Sequence, residues 1–246
     1  MKVSFLIVGT QKGGTSALHT FLSDHPEICL PKKKEAHFFD KGDFWGYSQA
    51  NYDDYHRLFE TDDRTRVCGE ATPAYMYWKQ SPKRICQYNR AMKLIFILRN
   101  PIERAYSNYM MQVKRGIETL PFSEAIRVEK IRRLRKFPRQ DRLFSYVDKG
   151  FYVRQIERME RYFSRSQMLF LKTEDLSDRH TETVDKVCEF IGVSPLNHQA
   201  AKRVFSNTYE PMSVADRQFL QERYRAEIAK LETLLGWDCS SWMAES

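Results

Sequence analysis

The sequence predicts an α/β fold, in which a central, mostly parallel sheet has helices on both faces. Three short apolar segments have the length and composition of buried strands, and they span residues 3–8, 93–98 and 168–171. Segments with helical periodicity alternate with them, which is typical of parallel sheets whose connections are helices. The 246 residues contain no repeat and no linker, so we expect a single domain over residues 1–246.

The remaining elements follow from local signals. Ser81 and Pro82 are residue types typical of a helix N-cap and first turn, so a helix is predicted to begin there with Ser81 as its cap. Gly192 and Gly236 each follow an amphipathic segment and are predicted helix C-caps. The predicted elements besides the three strands are helices over 16–22, from 82, over 101–114, 181–191 and 214–235, and a short strand over 66–69.

Positive charge is concentrated in one segment. The net charge is +8, and between Arg127 and Arg142 eight basic residues face two acidic ones, so this segment accounts for six of those charges. The distribution indicates a local basic patch rather than a basic surface over the whole molecule. The patch either attracts an anionic partner or is a solvated helix face. No nucleic-acid recognition motif accompanies it, so no nucleic-acid partner is expected.

The five cysteines are far apart in sequence and form no CxxC pair. We therefore expect neither a zinc site nor a disulfide framework, and reduced thiols fit a cytoplasmic protein. No run of 18 apolar residues is present, so no membrane span is expected. The first apolar segment runs directly into a glycine loop rather than a cleavage site, which also favours a cytoplasmic location.

A glycine-rich loop over residues 9–16 lies between the first strand and the first helix. Backbone N–H groups and the helix dipole favour an anion at such a junction, which predicts a P-loop-type phosphate site. Gly9 and Gly14 match the two glycines of the nucleotide-triphosphate loop GxxxxGK[ST], but Thr15 stands where that loop has its lysine. The lysine is found inside the loop instead, as Lys12.

The strand over 93–98 ends at Arg99, where a nucleotide triphosphatase would have the acidic residue that holds Mg²⁺. An arginine cannot hold a metal ion, but it can bind a phosphate directly. The loop and Arg99 together indicate a nucleotide with several phosphates that is bound without metal, so no metal is expected.

Residues 11–18 resemble the 5′-phosphosulfate loop of sulfotransferases that use PAPS (3′-phosphoadenosine 5′-phosphosulfate). Residues 98–107 resemble the 3′-phosphate motif of the same family. Three further segments resemble the glycosaminoglycan sulfotransferases of the heparan sulfate type: E-x-x-F-F at 35–39, G-x-Y-x-x-x-I-E-R at 150–158, and 209–212 before the last helix. The resemblance covers nearly the whole chain.

The resemblance implies a role for each matching residue. Lys12 would stabilise the leaving phosphate, and Arg99 and Ser107 would bind the 3′-phosphate. The residues implied for the 5′-phosphate are Gly13, Gly14, Thr15 and Ser16. The sequence departs from the family at Ala71, where members often carry a lysine, and in a shorter loop at 204–208. Lys202 and Arg203 are candidates to replace the 3′-phosphate contacts of that loop.

Glu35 is the expected catalytic base, because the resemblance places a glutamate there and the cations of residues 32–34 would keep it ionised. His37 is the alternative, since the pKa of histidine suits a base at neutral pH. Both remain candidates on sequence alone.

The predicted activity is transfer of a sulfonate group from PAPS to an acceptor hydroxyl or amine, leaving PAP, the 3′,5′-bisphosphate. The acceptor is expected to be a carbohydrate or a small metabolite, and the basic patch would attract an anionic glycan. Two alternatives stay open. One is a P-loop kinase or nucleotide triphosphatase with a degenerate loop, and the other is a nucleotide-binding protein without catalysis.

Overall fold

The computed structural model describes residues 2–40, 51–137, 140–196 and 210–244. Five described strands form one parallel sheet in the order β2-β3-β1-β4-β5. The strands are β1 Val3–Gly9, β2 Ile28–Cys29, β3 Val67–Ala71, β4 Lys93–Leu98 and β5 Met168–Lys172. The predicted strands over 3–8, 93–98 and 168–171 are thus present, and the short strand predicted over 66–69 runs from Val67 to Ala71.

Both faces of the sheet are covered. Phe5 and Ile7 of β1 lie in one apolar cluster with residues of β4 and β5 and of the helices packed on that face. Leu6 and Val8 alternate with them along β1 and point to the opposite face, yet they are equally inaccessible to solvent. A strand that is buried on both faces must be apolar throughout, which explains the continuous apolar runs in the sequence. The predicted fold class is confirmed.

The helices of the described residues fall between and after the strands. In chain order they are α1 Thr15–Ser23, α2 Tyr52–His56, α3 Ala74–Tyr77, α4 Ser81–Tyr88, α5 Pro101–Lys114, α6 Phe122–Lys136, α7 Val153–Glu160, α8 Thr173–Asp178, α9 His180–Ile191 and α10 Val214–Leu235. Short 3₁₀ helices span Asp148–Gly150, Arg165–Gln167 and Ser240–Met243.

The chain divides into two compact units. The first comprises Met1–Leu98 and Arg158–Ser206, and the second comprises Arg99–Glu157 and Asn207–Ser246. The first unit contains the whole sheet, and the second is helical in its described part. The expectation of a single functional domain stays a prediction.

Glycines end α9 and α10 as predicted: Gly192 and Gly236 adopt left-handed conformations with φ of 88° and 65°. The predicted cap of α4 was wrong. Gln80 occupies the N-cap position, and Ser81 is the first helical residue. The Ser81 hydroxyl donates instead to the carbonyl oxygen of Phe39 at 3.2 Å, a partner 42 positions away that local sequence does not indicate.

The second unit is organised around buried polar contacts. The carboxylate of Glu129, on α6, accepts hydrogen bonds from the backbone N–H groups of Val147 and Asp148 at 2.6 and 2.8 Å. The hydroxyl of Tyr224, on α10, donates to the carbonyl oxygen of Val147 at 2.6 Å. A side chain at Gly150 would meet the Tyr224 hydroxyl at 2.4 Å, so glycine is required at the start of the G-x-Y motif.

Candidate functional site

The glycine-rich loop after β1 is held at the end of β4. The backbone N–H of Thr10 donates to the carbonyl oxygen of Ile97 at 2.8 Å, and the N–H of Gly13 donates to the carbonyl oxygen of Thr10 at 2.9 Å. Lys12 adopts a left-handed conformation with φ of 71° and is half-buried. The loop is therefore a tight turn with its own internal hydrogen bond, at the carboxyl edge of the sheet where α/β folds bind ligands.

The loop leads into the N-terminus of α1 without a capping side chain, because the N-cap residue is Gly14, with φ of 100°. The first N–H groups of a helix have no partner within the helix, so those of Thr15 and Ser16 are oriented to bind an anion. A Cβ atom on Gly13 would lie 2.5 Å from the carbonyl oxygen of Ile97. Both glycines that were predicted to bind phosphate are thus needed for the conformation of the loop.

Thr173 supports the same loop from the start of α8. Its hydroxyl lies 2.7 Å from the carbonyl oxygen of Gly13 and 3.1 Å from that of Leu98. Thr173 is the first residue of α8 and directly follows β5. Sequence reasoning missed this residue, and no local signal distinguishes it from other threonines at the end of a strand.

A second candidate centre lies in the segment of residues 34–40. The Nε2 atom of His37 is 3.3 Å from Glu35 Oε2, and its Nδ1 atom is 2.9 Å from Asp40 Oδ2. The Lys34 ammonium donates to Glu35 Oε1 at 2.7 Å. Glu35 and His37 are each about one-third exposed, whereas Asp40 is fully buried. The structure thus brings the two predicted base candidates into contact and adds Asp40.

These contacts set the protonation states of the pair. Burial raises the pKa of the Glu35 carboxyl, but hydrogen bonds from His37 and Lys34 outweigh it and lower this pKa to about 2. Hydrogen bonds to Asp40 and then to Glu35 raise the pKa of the His37 imidazole to about 9, in spite of burial. At neutral pH Glu35 is therefore ionised and His37 is protonated.

The Glu35 segment and the glycine-rich loop both lie at the carboxyl ends of neighbouring strands. Ile7 of β1 pairs with Ala71 of β3, and the N–H of Thr72 donates to the carbonyl oxygen of Ile7 at 3.1 Å. The segment of residues 36–39 donates hydrogen bonds to Glu70 and to residues that follow it. Glu70 was not predicted as a functional residue. A glutamate in a short apolar strand could have indicated it, because a buried carboxylate needs several hydrogen-bond donors around it.

Two of the residues predicted to bind the 3′-phosphate, Arg99 and Ser107, lie in the second unit. The carbonyl oxygen of Arg99 accepts a hydrogen bond from the hydroxyl of Tyr152 at 2.8 Å. Asn100 caps α5, since its side-chain oxygen accepts from the N–H of Ile102 at 3.0 Å, and Pro101 occupies the first turn as predicted. Ser107, on α5, is buried. Contacts of Arg99 and Ser107 with a phosphate stay a prediction, and Lys202 and Arg203 lie outside the described residues.

Three arginines of the basic patch form ion pairs within the second unit. Arg132 pairs with Glu118, which is buried, Arg133 pairs with the buried Asp148, and Arg127 approaches Asp216 at 3.5 Å. Three other basic residues of α6 are exposed, and they are Lys130, Arg135 and Lys136. The patch therefore has a structural role for three of its arginines and an exposed cationic face.

No group of three or more His, Cys, Asp or Glu side chains in the described part of the chain is arranged to hold a metal ion. None of the helices described here combines the length and the apolar character needed to cross a membrane.

Comparison with known proteins identifies the family. The family described as Sulfotransferase domain matches residues 2–230. A sulfotransferase from Alicyclobacillus acidocaldarius has a similar structure, with a TM-score of 0.83 and 31% sequence identity over 99% of this chain and 100% of that chain.

Two curated relatives are named for heparan sulfate. The mouse protein heparan sulfate glucosamine 3-O-sulfotransferase 3B1 is 30% identical over 188 residues, which cover 76% of this chain and 45% of the relative. Mouse bifunctional heparan sulfate N-deacetylase/N-sulfotransferase 4 is 28% identical over an alignment that covers 98% of this chain and 31% of the relative. The chain thus spans less than half the length of these relatives. Because the family match extends from residue 2 to residue 230, the chain belongs to the sulfotransferase family.

Proposed function

We propose that this protein is an enzyme that transfers a sulfonate group from PAPS to a hydroxyl or amine and releases PAP. The observation that carries the proposal is the presence of two centres at the carboxyl edge of β1 and β3. One is a phosphate loop with uncapped helix N–H groups, and the other contains an ionised glutamate. An anion site beside a proton acceptor is what an in-line transfer from a phosphate leaving group needs.

In the proposed reaction the acceptor oxygen or nitrogen forms a bond to sulfur while the bond from sulfur to the 5′-phosphate oxygen breaks. The electron pair of the broken bond leaves with the phosphate, and the proton of the acceptor passes to Glu35. Lys12 and the N–H groups of Gly14, Thr15 and Ser16 would offset the negative charge that develops on the phosphate. Gly13 lets the loop pack against the end of β4, because a Cβ atom there would meet the carbonyl oxygen of Ile97.

We assign the base to Glu35 rather than His37. An imidazole whose pKa is about 9 already holds its proton at neutral pH and has no lone pair to accept another, whereas Glu35 is ionised. His37 lies between Glu35 and the buried carboxylate of Asp40. In its protonated form the His37 ring therefore orients the Glu35 carboxylate.

Recognition of the 3′-phosphate is assigned to Arg99 and Ser107, with Lys202 and Arg203 as further candidates. This contact would select PAPS over ATP, because ATP has no 3′-phosphate. The Tyr152 hydroxyl holds the carbonyl oxygen of Arg99, and Asn100 caps α5 directly after it, which supports the assignment.

The acceptor class proposed is a carbohydrate or a small metabolite. The names of the heparan sulfate relatives support a carbohydrate, and the exposed cations Lys130, Arg135 and Lys136 of α6 would attract an anionic glycan. We also propose that residues 1–246 act as one domain. A reducing compartment such as the cytoplasm is proposed because the five cysteines are far apart in the sequence and form no CxxC pair.

The donor is tested by thermal unfolding with PAP plus EDTA, and in parallel with ATP plus Mg²⁺. At a hundred times its Kd a ligand stabilises by about 2.7 kcal/mol, which raises the Tm of a domain of this size by roughly 5–10 °C. We expect this shift with PAP, and we expect Lys12→Ala to reduce it. Lys33→Ala, an exposed lysine outside the loop, is the matched control. Stabilisation by ATP with Mg²⁺ alone would show a kinase-like protein instead.

The base is tested by transfer of radiolabelled sulfonate from PAPS to heparan sulfate, glucosamine and p-nitrophenol. Glu35→Gln is expected to lower kcat by about 10²- to 10⁴-fold while the PAP-induced Tm shift is retained. PAP binding without transfer to any of the three probes in the parent protein would support a non-catalytic nucleotide-binding role. Retention of activity in Glu35→Gln together with its loss in His37→Asn would assign the base to His37.

A further inference from the structure

Four consecutive backbone N–H groups, those of residues 36–39, are held by one polar network under the Glu35 segment. The N–H of Ala36 donates directly to Glu70 Oε2 at 3.3 Å. The next N–H, at residue 37, donates to the Thr72 hydroxyl oxygen at 3.4 Å. The following two, at residues 38 and 39, donate to the Tyr75 hydroxyl oxygen at 2.9 and 3.4 Å.

Glu70 determines which way both hydroxyls point. Its Oε2 atom accepts from the hydroxyl of Thr72 at 2.6 Å, and its Oε1 atom accepts from that of Tyr75 at 2.6 Å. A hydroxyl has one hydrogen to donate, and a carboxylate is an acceptor only. Because both hydrogens are given to Glu70, the oxygens of Thr72 and Tyr75 present lone pairs to the backbone of the segment.

The network lies out of contact with water. Glu70 and Thr72 are fully buried, and so is Tyr75. The pKa of Glu70 is raised overall, because the effect of burial exceeds that of the hydrogen bonds from Thr72, Tyr75 and Tyr55, which lower it. With four donors directed at its two oxygens, the carboxylate has the partners that a buried charge requires.

The segment that the network holds has a strained backbone. Glu35 and His37 both have positive φ, at 66° and 51°, in the left-handed region that non-glycine residues seldom occupy. Such conformations persist only when the surroundings enforce them. The four anchored N–H groups begin at the residue between Glu35 and His37, so they supply that enforcement.

We infer that Glu70 is a positioning residue, whose carboxylate holds residues 35–39 in the conformation that aligns Glu35 and His37 for transfer. The inference rests on the proposed function, because it gives Glu35 the role of base. Glu70 does not touch the reacting groups in this scheme and acts only through Thr72, Tyr75 and the backbone of the segment.

The test replaces Glu70 by glutamine, which has the same shape but offers one acceptor oxygen and one NH₂ donor. One of the two hydroxyls must then turn its hydrogen away from residue 70. Its oxygen then accepts from the NH₂ group of the glutamine and is less available to the backbone N–H groups of residues 37–39. We expect amide hydrogen exchange of residues 36–39 to accelerate at least tenfold, while that of residues 12–18 is unchanged. We also expect kcat to fall by roughly 10- to 100-fold with the KM for PAPS within twofold of the parent.

Tyr55→Phe is the matched control. The Tyr55 hydroxyl donates to the same Glu70 carboxylate at 3.0 Å, whereas the hydroxyls of Thr72 and Tyr75 also accept from the backbone of residues 37–39. Its ring stacks on Phe38, and phenylalanine keeps that contact. We expect Tyr55→Phe to change exchange and kcat by less than threefold.

Thr72→Val and Thr72→Ser provide a second pair in case Glu70→Gln does not fold, as judged by loss of the PAP-induced Tm shift. The valine variant should resemble Glu70→Gln, and the serine variant should restore kcat because it retains the hydroxyl. The inference is overturned if Glu70→Gln and Thr72→Val behave like Tyr55→Phe, or if exchange accelerates and kcat stays within threefold of the parent. Failure of the proposed function is seen separately, as retention of activity in Glu35→Gln or absence of transfer in the parent.

Discussion

Thr173 donates its hydroxyl hydrogen toward the carbonyl oxygen of Gly13, 2.7 Å away and 160 positions earlier in the chain. The same hydroxyl is 3.1 Å from the carbonyl oxygen of Leu98, at the end of β4. One side chain thus links the phosphate loop to the ends of two strands. The N–H of Gly13 already donates to Thr10 inside the loop. The contact with Thr173 therefore fixes the carbonyl group of the same residue.

Thr173→Val should therefore loosen the phosphate loop. Loss of a hydrogen bond of this kind destabilises by about 0.5–1.5 kcal/mol, and a displaced loop should bind PAP about 2- to 10-fold more weakly. Urea unfolding and calorimetric titration with PAP measure the two effects. Thr173→Ser keeps the hydroxyl and should behave like the parent. Equal PAP affinity in the valine and serine variants would show that the contact does not shape the site.

Gly13→Ala should abolish PAP binding while the protein still folds. The new Cβ atom would lie 2.5 Å from the carbonyl oxygen of Ile97, so the loop itself must move, at a cost of about 1–3 kcal/mol. Gly116→Ala is the control, because Gly116 has a positive φ of 67° but open space around it. It should cost about 1 kcal/mol and leave the PAP-induced Tm shift intact. A normal shift in Gly13→Ala would contradict the assigned conformation of the loop.

The ion pairs of His37 should make stability depend on pH. The pKa of His37 is raised from 6.5 to about 9, so the folded state binds this proton more tightly than the unfolded state does. The resulting stabilisation is complete below about pH 6.5 and is lost as the pH rises through 9. Urea unfolding at pH 6, 7.5 and 9.5 should show the parent's advantage over His37→Asn shrinking with pH. An advantage that grows over this range would mean that His37 is neutral in the folded protein.

Tyr152→Phe should weaken PAP binding through Arg99. The Tyr152 hydroxyl holds the carbonyl oxygen of Arg99 at 2.8 Å, and its removal frees the backbone that presents the guanidinium. We expect the Kd of PAP to rise about 2- to 10-fold, which corresponds to one hydrogen bond. Tyr109→Phe removes a comparable bond, to the carbonyl oxygen of Leu120 at 3.0 Å, and should leave the Kd unchanged. If both variants changed the Kd of PAP equally, Tyr152 would have no specific role in binding the donor.

The strands and longer helices could be predicted because their signals are local. β1 and β4 are continuous apolar runs, and α9 and α10 end at glycines. Several of the elements that were missed lack such signals. β2 has only two residues, α6 exposes charged and apolar side chains together, and α8 is a polar helix of six residues. Their conformation depends on what they pack against.

The same division holds for the candidate site. By itself, the sequence determined the fold class, and it predicted a phosphate site in the glycine-rich loop because residues 9–16 are contiguous and lie at a helix N-terminus. Only the tertiary structure decided which distant residues hold that loop and the Glu35 segment. Thr173 reaches Gly13 from the first residue of α8, directly after β5, and Glu70 reaches Ala36 from β3 across 34 positions. Cys29 and Cys68, distant in sequence, become neighbours on β2 and β3. Parallel strands bring together residues that their connections keep far apart in the chain, so such contacts follow from strand order and register rather than from local sequence.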